Sequence, residues 1–411
     1  MAVASRLEAL ELLVAKHSER LCSLEVFQRL LESSCRDLHN SHEALSECLL
    51  EDGVVDEVVL RGLVSVRRAR LVQETALQVG GIALALLHAA GIAASHRFAV
   101  ASKVHNTSVQ AALPALLDII PPQIAVFGGS DGETSLPAVE CYGPAALSWQ
   151  ALPPMRTARS YCGSAAAQGY FYVFGGQVSG RVLSTVERYN TSTGMWDLLP
   201  PMPTARDGCA AVACGGRLHV FGGRDGRQIL NTVECYTPSD LGTLAMGAWT
   251  TMRPMPTGRS YCGAAALGNI IYVVGGYSGR QSLPTAECCP LFDHQWVPLP
   301  PMPTARDGCS AATSGGLLYV FGGRNGWQTL PAAEFFDPAF NCWHVLQPLP
   351  TARSGCAAAA TPGMIYVFGG RDGGERTVPV AESYNIMTQT WQELPPMLSA
   401  RDGCSAALEW F

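Results

Sequence analysis

The side chains able to do chemistry in this 411-residue chain are mostly thiols, 15 cysteines beside nine histidines. Six of them recur in register. Cys162, Cys209, Cys262, Cys309, Cys356 and Cys404 each lie three residues after an arginine, namely Arg159, Arg206, Arg259, Arg306, Arg353 and Arg401. Regularly placed thiols raise soft-metal binding and redox exchange. Equivalent positions in a symmetric array would hold the sulfurs apart, so packing as small hydrophobes is expected instead. Cys22, Cys35 and Cys48, with His39 and His42 nearby, suggest zinc, but no CxxC pair supports it. Copper chemistry would need convergent histidines, and His219, His294 and His344 sit in different segment types with no two at ligand spacing. Walker, nucleophile-elbow and HExxH patterns do not occur. Stretches such as "FGGRDGG" lead from a strand into a turn, so they are not phosphate loops. No catalytic residue, metal or cofactor is expected.

Composition narrows the class further. The chain carries a net charge of -6 with 48% hydrophobic and 15% charged residues. No basic stripe appears, so nucleic acid is not an expected partner. The start "MAVASRLEALELL" lacks a signal-peptide layout, and an odd cysteine count then favours reduced thiols in the cytoplasm or nucleus. The apolar run Ala76 to Ala94 contains Gln78 and His88 and is rich in Ala and Gly, which fits a buried helix better than a membrane span.

The elements that must position the recurrent residues fall into two unlike parts. Residues 1–120 read as helical. "RLEALELLVAKHSERL" places Leu7, Leu10, Leu13 and Val14 on one face. Pro121 and Pro122 close that part. Beyond them, Gly-Gly doublets fall at 128, 175, 222, 275, 322 and 369, at steps of 47, 47, 53, 47 and 47. Each doublet is followed by a glutamate (Glu140, Glu187, Glu234, Glu287, Glu334, Glu382) and a tryptophan (Trp149, Trp196, Trp249, Trp296, Trp343, Trp391). Fixed internal spacing with length changes confined to loops is the mark of a stacked array. Each unit reads as four short strands, the first made of small residues and the second strongly apolar. Six such sheets expose open edges unless they close into a ring.

The doublet, the glutamate with its aromatic neighbour, the tryptophan and the arginine together resemble the kelch repeat, over residues 124–411. The resemblance implies an all-β, six-bladed kelch β-propeller preceded by an α-helical N-terminal region. The aromatic after the glutamate is present in five units but is Cys289 in the fourth, where looser packing is expected. The first unit lacks its own inner strand, so residues 401–411 are expected to close it.

Kelch propellers that recruit peptides use positions just after the doublet and just after the arginine before the inner strand. Carried over, these are Ser130, Gln177, Arg224, Tyr277, Arg324 and Arg371, with Tyr161, Asp207, Tyr261, Asp307 and Asp402. They are expected to crowd one mouth of the channel, where the arginines suit carboxylates and the tyrosines offer flat surface. The opposing reading is turn residues in local ion pairs. The arginines three residues before the cysteines recur in every unit, which points to a structural role.

The function implied is a non-catalytic interaction module for a protein or peptide, with an acidic motif as one form of partner. The N-terminal region is expected to serve self-association or a second partner such as a cullin. The alternative is a substrate receptor of a cullin-type ubiquitin ligase. Residues 1–120 are too short for BTB plus BACK domains, and no F-box-like start is visible. The only lysines are Lys16 and Lys103, a feature shared by coding bias and by a receptor that avoids modifying itself.

Overall fold

The computed structural model describes residues 122–238 and 247–410. The helical expectation for 1–120, the apolar run at 76–94 and the Cys22, Cys35 and Cys48 set lie outside them. Within the described residues, no helix is long and apolar enough to cross a membrane.

Four of the second strands, such as Tyr170–Phe174 and Ile270–Val274, are unbroken apolar runs buried on both faces; that of the third blade carries Arg217 and His219, and that of the first carries Gln123. Each pairs with a small-residue strand on its inner side, such as Gly163–Ala167 or Gly263–Leu267. Two further antiparallel strands follow outward. The result is six four-stranded sheets. Small side chains on the inner strands let neighbouring sheets approach near the axis. The inner strands contact one another in a closed cycle, from Gly163–Ala167 through Ala210–Cys214, Gly263–Leu267, Ser310–Ser314, Ala357–Thr361 and Ser405–Trp410, then back to the first. The fold is a six-bladed β-propeller, with no helix among the described residues.

The core is distributed rather than central. Six apolar clusters each lie between two neighbouring blades. Each tryptophan stands at such a seam. Trp149, Trp196, Trp249 and Trp391 meet a phenylalanine of the preceding blade nearly edge-on, with ring centroids 5.3 to 6.4 Å apart. Their indole N–H groups donate to carbonyls in the linker that enters their own blade from the preceding one, as Trp196 does to Pro153 at 2.8 Å. An aromatic strand neighbour completes the pair in five blades, as Tyr236 does for Trp249 at 5.1 Å. In the fourth blade Cys289 replaces that ring. Beside Trp296 lies a cavity of about 10 Å³, lined by Cys289, His219 and His294, roughly the room of one water.

The first blade is assembled from both ends of the propeller segment. Pro122–Phe127 pairs along its whole length with Ser405–Trp410, with Ile124 opposite Leu408 and Ala125 opposite Ala407. The last strand therefore supplies the innermost position of a sheet whose other strands come from residues 122–152. A chain ending at Ala400 leaves an open inner edge on the first blade. Its melting temperature should fall by more than about 10 °C; a melt equal to that of the full chain would show that the closure contributes nothing.

The same strand carries a buried carboxyl. Glu409 is 4% exposed, accepts the Gly169 N–H at 3.0 Å, and has no cationic partner among the described residues. Burial pushes it up to about 7. Because the folded value lies above the unfolded one, its contribution to stability is full in acid and is lost as pH rises through about 7. Glu409→Gln should therefore raise the melting temperature at pH 8 and change it little at pH 5. An equal shift at both would refute the assignment.

Candidate functional site

The six recurrent arginines are fully buried, and each is held the same way. Arg159 donates through Nη1 to the carbonyls of Gly175 and Thr185, and through Nη2 to Glu187 Oε1 at 2.6 Å. Gly175 is the first glycine of its blade's doublet. The pattern repeats with Arg206 on Gly222 and Glu234, Arg259 on Gly275 and Glu287, and Arg306 on Gly322 and Glu334. Arg353 on Gly369 and Glu382, and Arg401 on Gly128 and Glu140, complete it. The backbone carbonyl of each arginine accepts the N–H of the second doublet glycine in the preceding blade, as Arg259 does from Gly223 at 2.9 Å. One residue thus ties two blades. The doublet must be glycine because a Cβ on Gly222, at φ +57°, would come within 2.2 Å of the Arg259 carbonyl oxygen.

The residue after each arginine forms the next layer toward the opening. It pairs through two backbone hydrogen bonds with the residue after the doublet: Ser160 with Gln177, Asp207 with Arg224, Ser260 with Tyr277, Asp307 with Arg324, Ser354 with Arg371 and Asp402 with Ser130. The two sets of positions named from the sequence are therefore brought together pair by pair.

One residue further on, the backbone closes a ring of its own. Tyr161 N–H donates to Gly403, Gly208 to Tyr161, Tyr261 to Gly208, Gly308 to Tyr261, Gly355 to Gly308 and Gly403 to Gly355, at 2.6 to 2.8 Å. All six residues are left-handed, with φ between 55° and 65°. Four are glycine, for which that conformation is free. Tyr161 and Tyr261 adopt it at a cost of about 1 kcal/mol each. Their rings meet edge-on with centroids 5.4 Å apart and lie over Gly403 and Gly208.

Inside the opening is a cavity of about 290 Å³. Tyr161, Gln177, Arg224, Tyr261, Asp307, Arg324, Arg371 and Asp402 line it, whereas Ser130, Asp207 and Tyr277 do not. Asp207 is buried beneath Arg224 and accepts from it twice, at 2.8 and 3.0 Å. Asp307 holds Arg324 at 2.9 Å. In the last blade Ser354 stands where an aspartate would be, so Arg371 reaches sideways to Asp402 of the first blade at 3.3 Å. The three arginines are neutralised within the protein. Tyr161 donates its hydroxyl to Asp402 at 3.0 Å, and burial followed by the Asp402 charge raises its phenol well above the ordinary range. Burial and the Asp207 charge push Tyr261 up to about 12. Both phenols stay protonated at neutral pH, and Tyr161 donates to Asp402.

The six recurrent cysteines also line the cavity, and all are buried. Burial pushes Cys209, Cys262 and Cys404 up to about 12. Cys209, Cys309, Cys356 and Cys404 direct their thiols at carbonyls of the preceding blade. They are packed thiols, not nucleophiles. Among the described residues, no three His, Cys, Asp or Glu converge in a way that could hold a metal. His219 and His294 do share the small cavity beside Trp296, although nothing in their spacing brings them together; burial holds His219 down at about 4, so it is neutral.

Sequence reasoning passed over the hairpin tips beyond the doublets, where Arg181, Arg227, Arg280 and Trp327 are exposed. The available signal was a glycine followed by arginine or tryptophan, four or five residues after the doublets of the second to fifth blades.

With this geometry in hand, two family models match the chain. The KLHDC2/KLHL20/DRC7 Kelch-repeats domain covers residues 162–348, and the Kelch motif covers 352–398. Together they span more than half of the chain. No curated protein matches it.

Removing one member of a buried ion pair leaves the other uncompensated, at a cost of about 3–5 kcal/mol. Arg259→Ala should destabilise the propeller by that order in chemical denaturation. A loss below about 1 kcal/mol would show that the stitch is no stronger than a surface pair.

Proposed function

We propose that this chain, which belongs to the kelch-repeat family of β-propellers, is a non-catalytic module that binds a protein or peptide across the mouth of its channel. Kelch propellers generally act as protein-interaction modules. The observation that carries the reading here is the mouth itself. It joins half-exposed arginines, phenol donors and an aromatic pair around a concavity of about 290 Å³. Aromatic and arginine side chains in a partly desolvated hollow are the usual anchors of such contacts. The packed thiols, the buried ion pairs and the neutral phenols offer no general base or nucleophile near pH 7. The setting we propose is the cytoplasm or nucleus, with residues 1–120 serving self-association or a second partner.

A second reading, a substrate receptor of a cullin-type ubiquitin ligase, is supported by one feature. Residues 104–411 contain no lysine, against 17 arginines. A bound partner would then be the better acceptor of ubiquitin. Cullin co-purifying with the full chain would favour this form.

Tyr161 and Tyr261 provide a clean test, because glycine already occupies the four equivalent positions and suits their backbone. The double variant Y161G/Y261G should keep the ring of backbone bonds and melt within a few degrees of wild type. It should lose the principal partners detected by proximity labelling in cells. An unchanged set of labelled proteins, with the fold intact, would remove the mouth as the binding surface.

A further inference from the structure

Two positions of the repeat meet across the seams between blades. One lies three residues before the doublet, and the other lies two residues after the glutamate of the next blade. Three seams place an aromatic ring at both. Tyr172 meets Tyr236, Tyr272 meets Phe336 and Tyr366 meets Tyr142, with ring centroids 5.9 to 6.5 Å apart. In the seam between the third and fourth blades the same two positions are His219 and Cys289. Both rings are exchanged together, and both for residues able to ligate a metal.

The imidazole keeps the stance of the tyrosine found in other blades. It stacks on Phe221 at 6.2 Å and 15°, as Tyr366 does on Phe368 at 6.3 Å and 6°. His219 is 3% exposed. The backbone of Cys214 hydrogen-bonds its ring, while Nε2 has no hydrogen-bond partner among the described residues. A buried polar atom left unpaired costs stability until something occupies it. One ring nitrogen anchored on the backbone with the other left open is also how ligating histidines are held. Cys289 is buried too, and its thiol reaches the Pro290 carbonyl at 3.9 Å. Both side chains line the cavity of about 10 Å³ beside Trp296, a space for one water or one bare ion. The neighbouring thiols are placed otherwise. Cys214 donates to the Gly268 carbonyl at 3.4 Å, and Cys288 packs in the seam between the fourth and fifth blades.

We propose that His219 and Cys289 bind one soft, closed-shell monovalent cation, copper(I), between the third and fourth blades. Such an ion is satisfied by two ligands in line and prefers thiolate and imidazole, whereas zinc takes four. His294, half-buried, lines the same cavity, but no three ligating groups converge among the described residues. Charge selects in the same direction. Copper(I) replaces the thiol proton, which leaves to solvent, and no electron is transferred. The thiolate, the cation and a neutral imidazole then sum to zero. A divalent ion would leave one uncompensated positive charge in the seam, with Arg253 lining the same cavity. Burial holds His219 down at about 4, so no proton competes for Nε2 near neutral pH. The ion ties two blades together where the ring pair is missing.

The test uses the full chain, kept reduced and anaerobic, with copper(I) supplied from its bicinchoninate complex, whose residual colour counts the copper taken up. Thiols elsewhere in the chain compete for copper(I), so the readout is a difference between variants. H219Y/C289Y restores the ring pair of the other seams. It should melt at or above wild type and take up one equivalent less copper. Cys288→Ser should take up the wild-type amount, and His219→Gln should weaken that one equivalent at least about tenfold. Silver(I), a redox-inert substitute, should shift the His219 Nε2 resonance of wild-type chain labelled with nitrogen-15 histidine, and should leave it unmoved in Cys289→Ser. Equal copper uptake by wild type and a folded H219Y/C289Y would overturn the site. So would a His219 Nε2 resonance that silver(I) does not move, a result that assigns the cavity to water and decides the matter even if the double variant fails to fold. Uptake lost in Cys289→Ser but unchanged in His219→Gln would overturn the pair, leaving a thiol acting alone.

Discussion

Everything in this propeller depends on six buried guanidinium groups. Each is withdrawn from water and compensated by a glutamate and by the carbonyl of a doublet glycine. A charge in such surroundings tolerates little displacement, because losing a partner leaves an ion in a medium of low dielectric. The same residue accepts a backbone N–H from the blade before it. The angle between neighbouring sheets is therefore set by hydrogen bonds of defined direction as well as by apolar packing, which has none. The tryptophans act in the same seams, with ring edges buried and indole N–H groups tied to the linkers.

That repeated constraint explains how a symmetric scaffold carries an asymmetric face. The positions around the axis share one backbone conformation, closed by the ring of hydrogen bonds through Tyr161, Gly208, Tyr261, Gly308, Gly355 and Gly403. Side chains above that ring are free to differ. Tyrosines cover part of the opening, and glycines leave the sector at Gly308 and Gly355 open. A single change, Ser354 for aspartate, sends Arg371 to a neighbouring blade for its partner. None of these differences disturbs the frame, because none takes part in the arginine stitch or the seam clusters.

Charge is layered in the same way. Buried pairs lie deepest, and ion pairs between the half-exposed arginines and buried aspartates lie at the mouth. At the outermost hairpin tips Asp372 holds Arg376, whereas Arg181, Arg227 and Arg280 have no ion-pair partner among the described residues. The outer layer has the strongest influence on an approaching partner, since internally paired charges project little field. The deeper layers determine the shape of the surface on which the outer charges are displayed.

The fold was legible in the sequence because its determinants are local and repeated. Doublet spacing, alternating small residues, the tryptophan and the missing first inner strand each report on one strand or turn, and repetition six times removes the ambiguity of any single copy. The recurrence of Arg159 and its equivalents already pointed to a structural role, and their partners proved to be the doublet carbonyls and glutamates. The binding face was less legible. Position along the repeat singled out Arg224, Arg324 and Arg371, which line the cavity, but their neutralisation by Asp207, Asp307 and Asp402 arises from pairing between segments up to 31 residues apart. Neighbouring hairpins also lean together, as the Gly326 N–H on Ser282 Oγ shows, which spacing along the chain does not reveal. By itself the sequence determined the architecture, since strand period and turn chemistry act over a few residues. Only the tertiary structure decided which charges are consumed internally and which stand free, since that depends on distances between residues far apart in the chain.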